Sequence, residues 1–151
     1  MKQRFTPEQV GLHDCRAKKM SFEQGVLSFY FPDGIWILPN PSDNPASEAL
    51  RTKNARVDFS IVDADPDEIE IYLFRKNRRG NIIREDWKPD DFVAAVNAGE
   101  YQVEFLYTYQ GYQSFLFKCW VWFEKAPWHA ECEIILRTDG GSCEWDEIET
   151  P

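Results

Sequence analysis

Phe115-Leu-Phe-Lys-Cys-Trp-Val-Trp-Phe123 decides how this chain must be read. Successive side chains on a strand point to opposite faces. Phe115, Phe117, Cys119, Val121 and Phe123 therefore share one face, and Leu116, Lys118, Trp120 and Trp122 share the other. Both faces carry large apolar groups, the pattern of a strand covered on two sides. The first set predicts a core face. The second predicts either a further half of the core, which the usual burial of tryptophan favours, or a platform that binds something.

The flanks of this stretch are also aromatic, in a chain with 6 Trp, 6 Tyr and 11 Phe. Upstream, Tyr101, Val103, Phe105, Tyr107 and Tyr109 alternate with Gln102, Glu104 and Thr108, predicting a strand with one aromatic face. Gln110-Gly111-Tyr112 is a turn between the two strands. Downstream, Lys125-Ala-Pro127 turns the chain again into a strand over His129 to Arg137. Before this meander, Pro89 to Ala98 reads as a helix: proline at its first position, Gly99 just past its end, and Phe92, Val93 and Val96 on one stripe.

The rest of the chain repeats the strand pattern. Arg16 to Phe22 and Val26 to Phe31, joined by Glu23-Gln24-Gly25, predict a hairpin. A short strand over Ile35 to Leu38 follows the Pro32-Asp33-Gly34 turn. Val57, Phe59 and Ile61, then Ile69, Ile71 and Leu73, alternate with polar residues as half-buried strands do. The prolines of Pro39 to Asn54 predict a long polar connection with one helical turn over Ala46 to Leu50, and the segment from Thr138 to Pro151 reads as loop or charged edge. Thr6-Pro7-Glu8-Gln9 predicts a single helical turn near the start.

A chain of 151 residues fits one domain over residues 1–151. The expected architecture is mainly β: an antiparallel β-sandwich or open barrel with one helix at about 89–98. A net charge of -9 and a pI near 4.7 argue against nucleic acid and anionic membranes as partners and favour a basic one. Without a signal-like apolar region or a membrane-length apolar run, the chain is expected to be soluble and cytoplasmic, with its 4 cysteines reduced.

Three constellations invite chemistry. His13 and Cys15, with His129 and Cys132, suggest zinc by residue type, but His129 and Cys132 are three apart and would face opposite ways on a strand. Cys119 and Cys132 fall in phase with core residues, so buried thiols are expected and no metal or cofactor. Cys15, His129 and Asp14 could be assembled into a nucleophilic site, yet no nucleophile signature accompanies them. Asp63, Asp65 and Asp67 resemble the start of a calcium loop, which fails at Glu68 and Phe74. Arg75-Lys-Asn-Arg-Arg79 with Arg84 forms a basic hairpin tip whose plain reading is a solvated turn.

Leu12-His-Asp-Cys-Arg16 and the following Gly-Val-Leu-Ser-Phe-Tyr-Phe-Pro-Asp-Gly hairpin, with Glu104-Phe-Leu-Tyr-Thr-Tyr and Phe117-Lys-Cys-Trp-Val-Trp-Phe123, resemble small β-rich bacterial proteins that open with a Leu-His-Asp strand. Some of those look like immunity proteins of polymorphic toxin systems. The resemblance implies a binding protein and carries over no catalytic residue. The leading expectation is a non-enzymatic binding protein with a basic protein partner, anchored by Trp120, Trp122 and Trp128 with Glu124 and Glu131 as nearby charges. A small-ligand or enzymatic pocket around His13, Cys15 and His129, and a homo-oligomer built on the tryptophan face, are the alternatives.

Overall fold

The computed structural model describes residues 2–42 and 44–149, so the end of the segment read as a charged tail, Thr150 and Pro151, lies outside the described residues. The strands in chain order are β1 (Lys2–Arg4), β2 (Val10–Gly11), β3 (Cys15–Ala17), β4 (Lys19–Glu23), β5 (Val26–Phe31), β6 (Trp36–Ile37), β7 (Leu50–Lys53), β8 (Ala55–Ile61), β9 (Ile69–Lys76) and β10 (Ile82–Trp87). After helix α1 (Pro89–Asn97) come β11 (Tyr101–Gly111), β12 (Ser114–Phe123), β13 (His129–Glu144) and β14 (Glu147–Ile148). All pairings are antiparallel, and the sheets do not close into a barrel.

The fold is sandwich-like. A first sheet runs β3-β11-β12-β13-β9-β10, using residues 129–137 of β13, and a second runs β1-β13-β8-β5-β4, using residues 138–144. Phenylalanines from the two sheets meet between them: Phe59 of β8 lies 5.5 Å from both Phe115 and Phe117 of β12, and Phe29 of β5 lies 5.1 Å from Phe105 of β11. Tilted and edge-to-face contacts of this kind add specificity to the area buried. The alternation read at Val57, Phe59 and Ile61, at Ile69, Ile71 and Leu73, and along Phe115 to Val121 is the core-facing alternation observed.

β13 takes up much of the carboxy-terminal segment that reads as loop or charged edge. It continues for 16 residues, to Glu144, and Cys143 and Trp145 are buried. The register shifts between Thr138 and Gly140, where the strand leaves one sheet for the other. Gly140-Gly141 marks that bulge and crossover, not an end. A side chain at Gly141 would stand 2.8 Å from the ring of Phe59, so close strand approach requires glycine there.

Pro39 to Asn54 contains no helical turn over Ala46–Leu50; instead it ends in β7, which pairs with β6 and β14. The fully buried Asn44 organises this segment by donating to Ile37 O and Glu48 O at 3.0 and 2.7 Å. Such a buried polar side chain, satisfied by backbone, fixes a loop that composition alone marks as loose. Near the start, Gln9 and Val10 N–H groups both donate to Thr6 O, the single turn expected there.

Helix α1 forms where its proline-first, glycine-after pattern predicts, ending at Asn97 with Gly99 at φ 80°. It buries Phe92, Ala95 and Val96, with Phe92 against Trp87 and Tyr101. Asn97 accepts from Met20 N–H and donates to Met20 O, both at 2.9 Å, so one side-chain amide pairs with β4 as a neighbouring strand would. α1 therefore packs against β4, β11 and β9, with Phe92 on the same side as the inward-facing Tyr101.

Candidate functional site: the outer face of the first sheet

The outer face of the first sheet is a set of cross-strand rows. One row runs Arg16, Glu104, Trp120, Glu131, Phe74, Arg84 across β3, β11, β12, β13, β9 and β10. The next sets Gln102 opposite Trp122 and Trp122 opposite His129. Directly opposed residues bring their Cβ atoms to about 5 Å, so the side chains of each row stand within reach of one another.

Trp120 and Trp122 are half-buried, and their cover is not α1. His129 lies between them, its ring centroid 4.7 Å from Trp120 and 5.0 Å from Trp122. On the far side of Trp122 the Arg16 guanidinium stands 4.5 Å above the indole. Glu104 ties the group together: Oε1 accepts from Trp122 Nε1 and from Arg16 Nε, each at 3.1 Å. The result is a ridge, Arg16–Trp122–His129–Trp120, held by tilted and edge-to-face ring contacts, one cation–π contact and one shared carboxylate. It is an ordered surface rather than a second core.

Trp128 is 59% exposed and makes no ring contact among the described residues. Its φ of 75° lies where bulky side chains are rare, a strain of about 1–3 kcal/mol that the turn holds through Trp128 N–H to Lys125 O and Phe123 N–H to Trp128 O. Glu124 is exposed in the same turn, beside a cleft shared with Arg75, Tyr101 and Phe123. Beside the ridge, a groove of about 650 Å³ is lined by Phe74, Lys76, Ile82, Trp120, Pro127, His129 and Glu131, among others. The five residues expected to bind therefore fall on one face and its adjoining turn.

His13, Cys15 and His129 do not converge. His129 belongs to β13, and β12 and β11 separate it from Cys15 on β3, roughly 14 Å at the usual strand spacing. Cys15 points inward with no exposed surface, and Arg51 donates to its sulfur at 3.2 Å. Burial outweighs that guanidinium and pushes the thiol up to about 11, the opposite of an activated nucleophile. His13 is exposed but structural: Nδ1 lies 2.7 Å from Leu106 O while Asp14 N–H donates to Phe105 O at 2.8 Å. Cys119 and Cys132 sit directly opposite each other in the core, their thiols raised by burial. Among the described residues no cluster of His, Cys, Asp and Glu is arranged to hold a metal, and no helix is long and apolar enough to cross a membrane.

His13 and Asp14 clasp an irregularity that alters one expectation. The register of β11 against β12 shifts between Phe105 and Tyr107. The bulge inverts the phase, so Phe105 stays in the core while Tyr107 and Tyr109 turn outward, 56% and 53% exposed. β11 thus has two aromatic faces, not one. Arg16, Glu104 and Phe74 are the members of the site that residue patterning misses. Each is an ordinary residue in its own strand, and only the register across strands distinguishes it.

Comparison of the chain with protein-family models, with curated proteins and with solved structures finds no match, so its function is read from the chemistry of this face.

Proposed function

We propose that this chain is a non-enzymatic binding protein that docks a basic protein partner on the outer face of its first sheet, as an immunity protein does with its toxin. The observation that carries the reading is the tryptophan–histidine ridge on a sheet face over which no further layer packs among the described residues. Ordered, half-buried tryptophans flanked by charge are the composition of interface anchors. A chain of net charge -9 attracts a basic partner over long range and fixes its orientation on arrival. Trp128 and Glu124 extend the surface beyond the ridge.

A pocket enzyme built on His13, Cys15 and His129 finds less support, because the three side chains are dispersed and the thiol is held neutral. A symmetric homo-oligomer would use the same ridge.

Affinity capture from the native host, quantified against a Trp120→Ala/Trp122→Ala variant, tests the proposal. A basic protein retained by the natural chain and depleted at least tenfold with the variant is the expected result. Equal retention by both, or light scattering showing a stable dimer that the double variant abolishes, would overturn it.

A further inference from the structure

We infer that the groove beside Trp120 is a receptor for a single arginine side chain of the partner, with Glu131 as its counter-charge. This deepens the proposal above and rests on it for the identity of the partner as a basic protein.

Glu131 is exposed on β13 and stands between Trp120 on one neighbouring strand and Phe74 on the other. A carboxylate flanked by two aromatic side chains at about 5 Å spacing offers a cation both an ion pair and ring faces to lie against. A guanidinium suits it better than an ammonium, because it is planar, stacks on rings and binds carboxylate with two parallel N–H groups. His129 and Pro127 line the same groove.

The chain's own cations leave this carboxylate unmatched. At one end of the row Arg16 is engaged by Glu104 and Trp122. At the other, Arg84 lies 4.4 Å over the ring of Tyr72 and 3.4 Å from Asp86. Arg75, on the groove wall, is ion-paired to Glu85 at 2.8 Å, donates to the Tyr101 hydroxyl and lies over Phe123. Lys76 shares the groove but stays beyond ion-pairing distance of Glu131, as does every other cation of the described residues. Two arginines on this face already show the mode expected of the third, a guanidinium over an aromatic ring with a carboxylate beside it. Trp120, Glu131 and Phe74 repeat that combination of rings and carboxylate, with Glu131 exposed.

The test uses the whole chain and a defined probe, N-acetyl-arginine amide, followed through the indole N–H signal of Trp120 and the ring signals of His129. Saturable shifts with a Kd on the order of 1–10 mM are expected for one side chain. Glu131→Gln, an exposed and isosteric change, weakens binding about tenfold, and Phe74→Leu weakens it severalfold. Lys76→Gln, which removes the neighbouring cation, tightens it. The neutral isostere N-acetyl-citrulline amide gives no saturable shift. Equal shifts from the citrulline probe, or an unchanged titration in both Glu131→Gln and Phe74→Leu, would overturn the receptor. Because the probe requires no partner, its failure leaves the tryptophan-ridge docking standing, and loss of the partner from affinity capture leaves the receptor standing.

Discussion

The two faces of β12 are made from similar residues and do different work. Inward, Phe115, Phe117, Cys119 and Val121 are at most 5% exposed and pack against a second sheet. Outward, Leu116, Trp120 and Trp122 are half-buried, and the tryptophans are flanked by Arg16 and His129 of their own sheet. The inner face is held by area removed from water, the outer by tilted and edge-to-face ring contacts, a cation–π contact and one shared carboxylate. Tryptophan content therefore does not distinguish core from surface; what lies across from each ring does.

The contrast can be broken most severely from inside. Phe117→Ala removes a fully buried ring that touches Phe59 and Phe105. It is expected to cost about 3–5 kcal/mol in urea unfolding. A loss below about 1 kcal/mol would mean that the sheets are not packed on this residue.

Alkali attacks the same interior. Burial raises Cys15 from 9.0 to about 11, and Cys119 and Cys132 move the same way. A pKa raised on folding favours the neutral thiol in the folded chain. That contribution is fully present below about pH 9 and is lost as pH climbs through 11, by about 3 kcal/mol for Cys15 alone. Denaturant midpoints measured between these limits should fall, and Cys15→Ala should flatten part of the slope.

The outer face should respond less. Trp120→Ala is expected to cost about 1–2 kcal/mol, since the ring is only half-buried, while removing most of the partner's affinity. Arg16→Ala is expected to cost about 0.5–1 kcal/mol, because its ion pair is partly solvated. It should also shift the Trp122 indole N–H signal, whose acceptor Glu104 it shares. An Arg16→Ala cost as large as that of Phe117→Ala would erase the distinction between the faces.

Much of this was legible in the sequence because it is local. Alternation along Phe115–Phe123 and proline-first, glycine-last punctuation around Pro89–Asn97 need no partner to be read. What escaped is set by pairing. The bulge at Leu106 that turns Tyr107 outward, and the crossover at Gly140 that carries β13 into a second sheet, depend on strands far away in sequence. Asn44 likewise looks like a loop residue until its two backbone acceptors are seen. Within the site, the tryptophans announce themselves, whereas Arg16, Glu104 and Phe74 acquire their roles only when the register sets them in one row.

Hydroxyl-radical footprinting of the chain, free and in the complex recovered from native cells, tests most directly whether the outer face of β12 is the docking surface. The account predicts protection of Trp120, Trp122 and Phe74 in the complex, with the exposed Tyr112, in the β11–β12 turn, reacting equally in both states. Protection confined to Tyr112, with the two tryptophans reacting as fast in the complex as in the free chain, would contradict it.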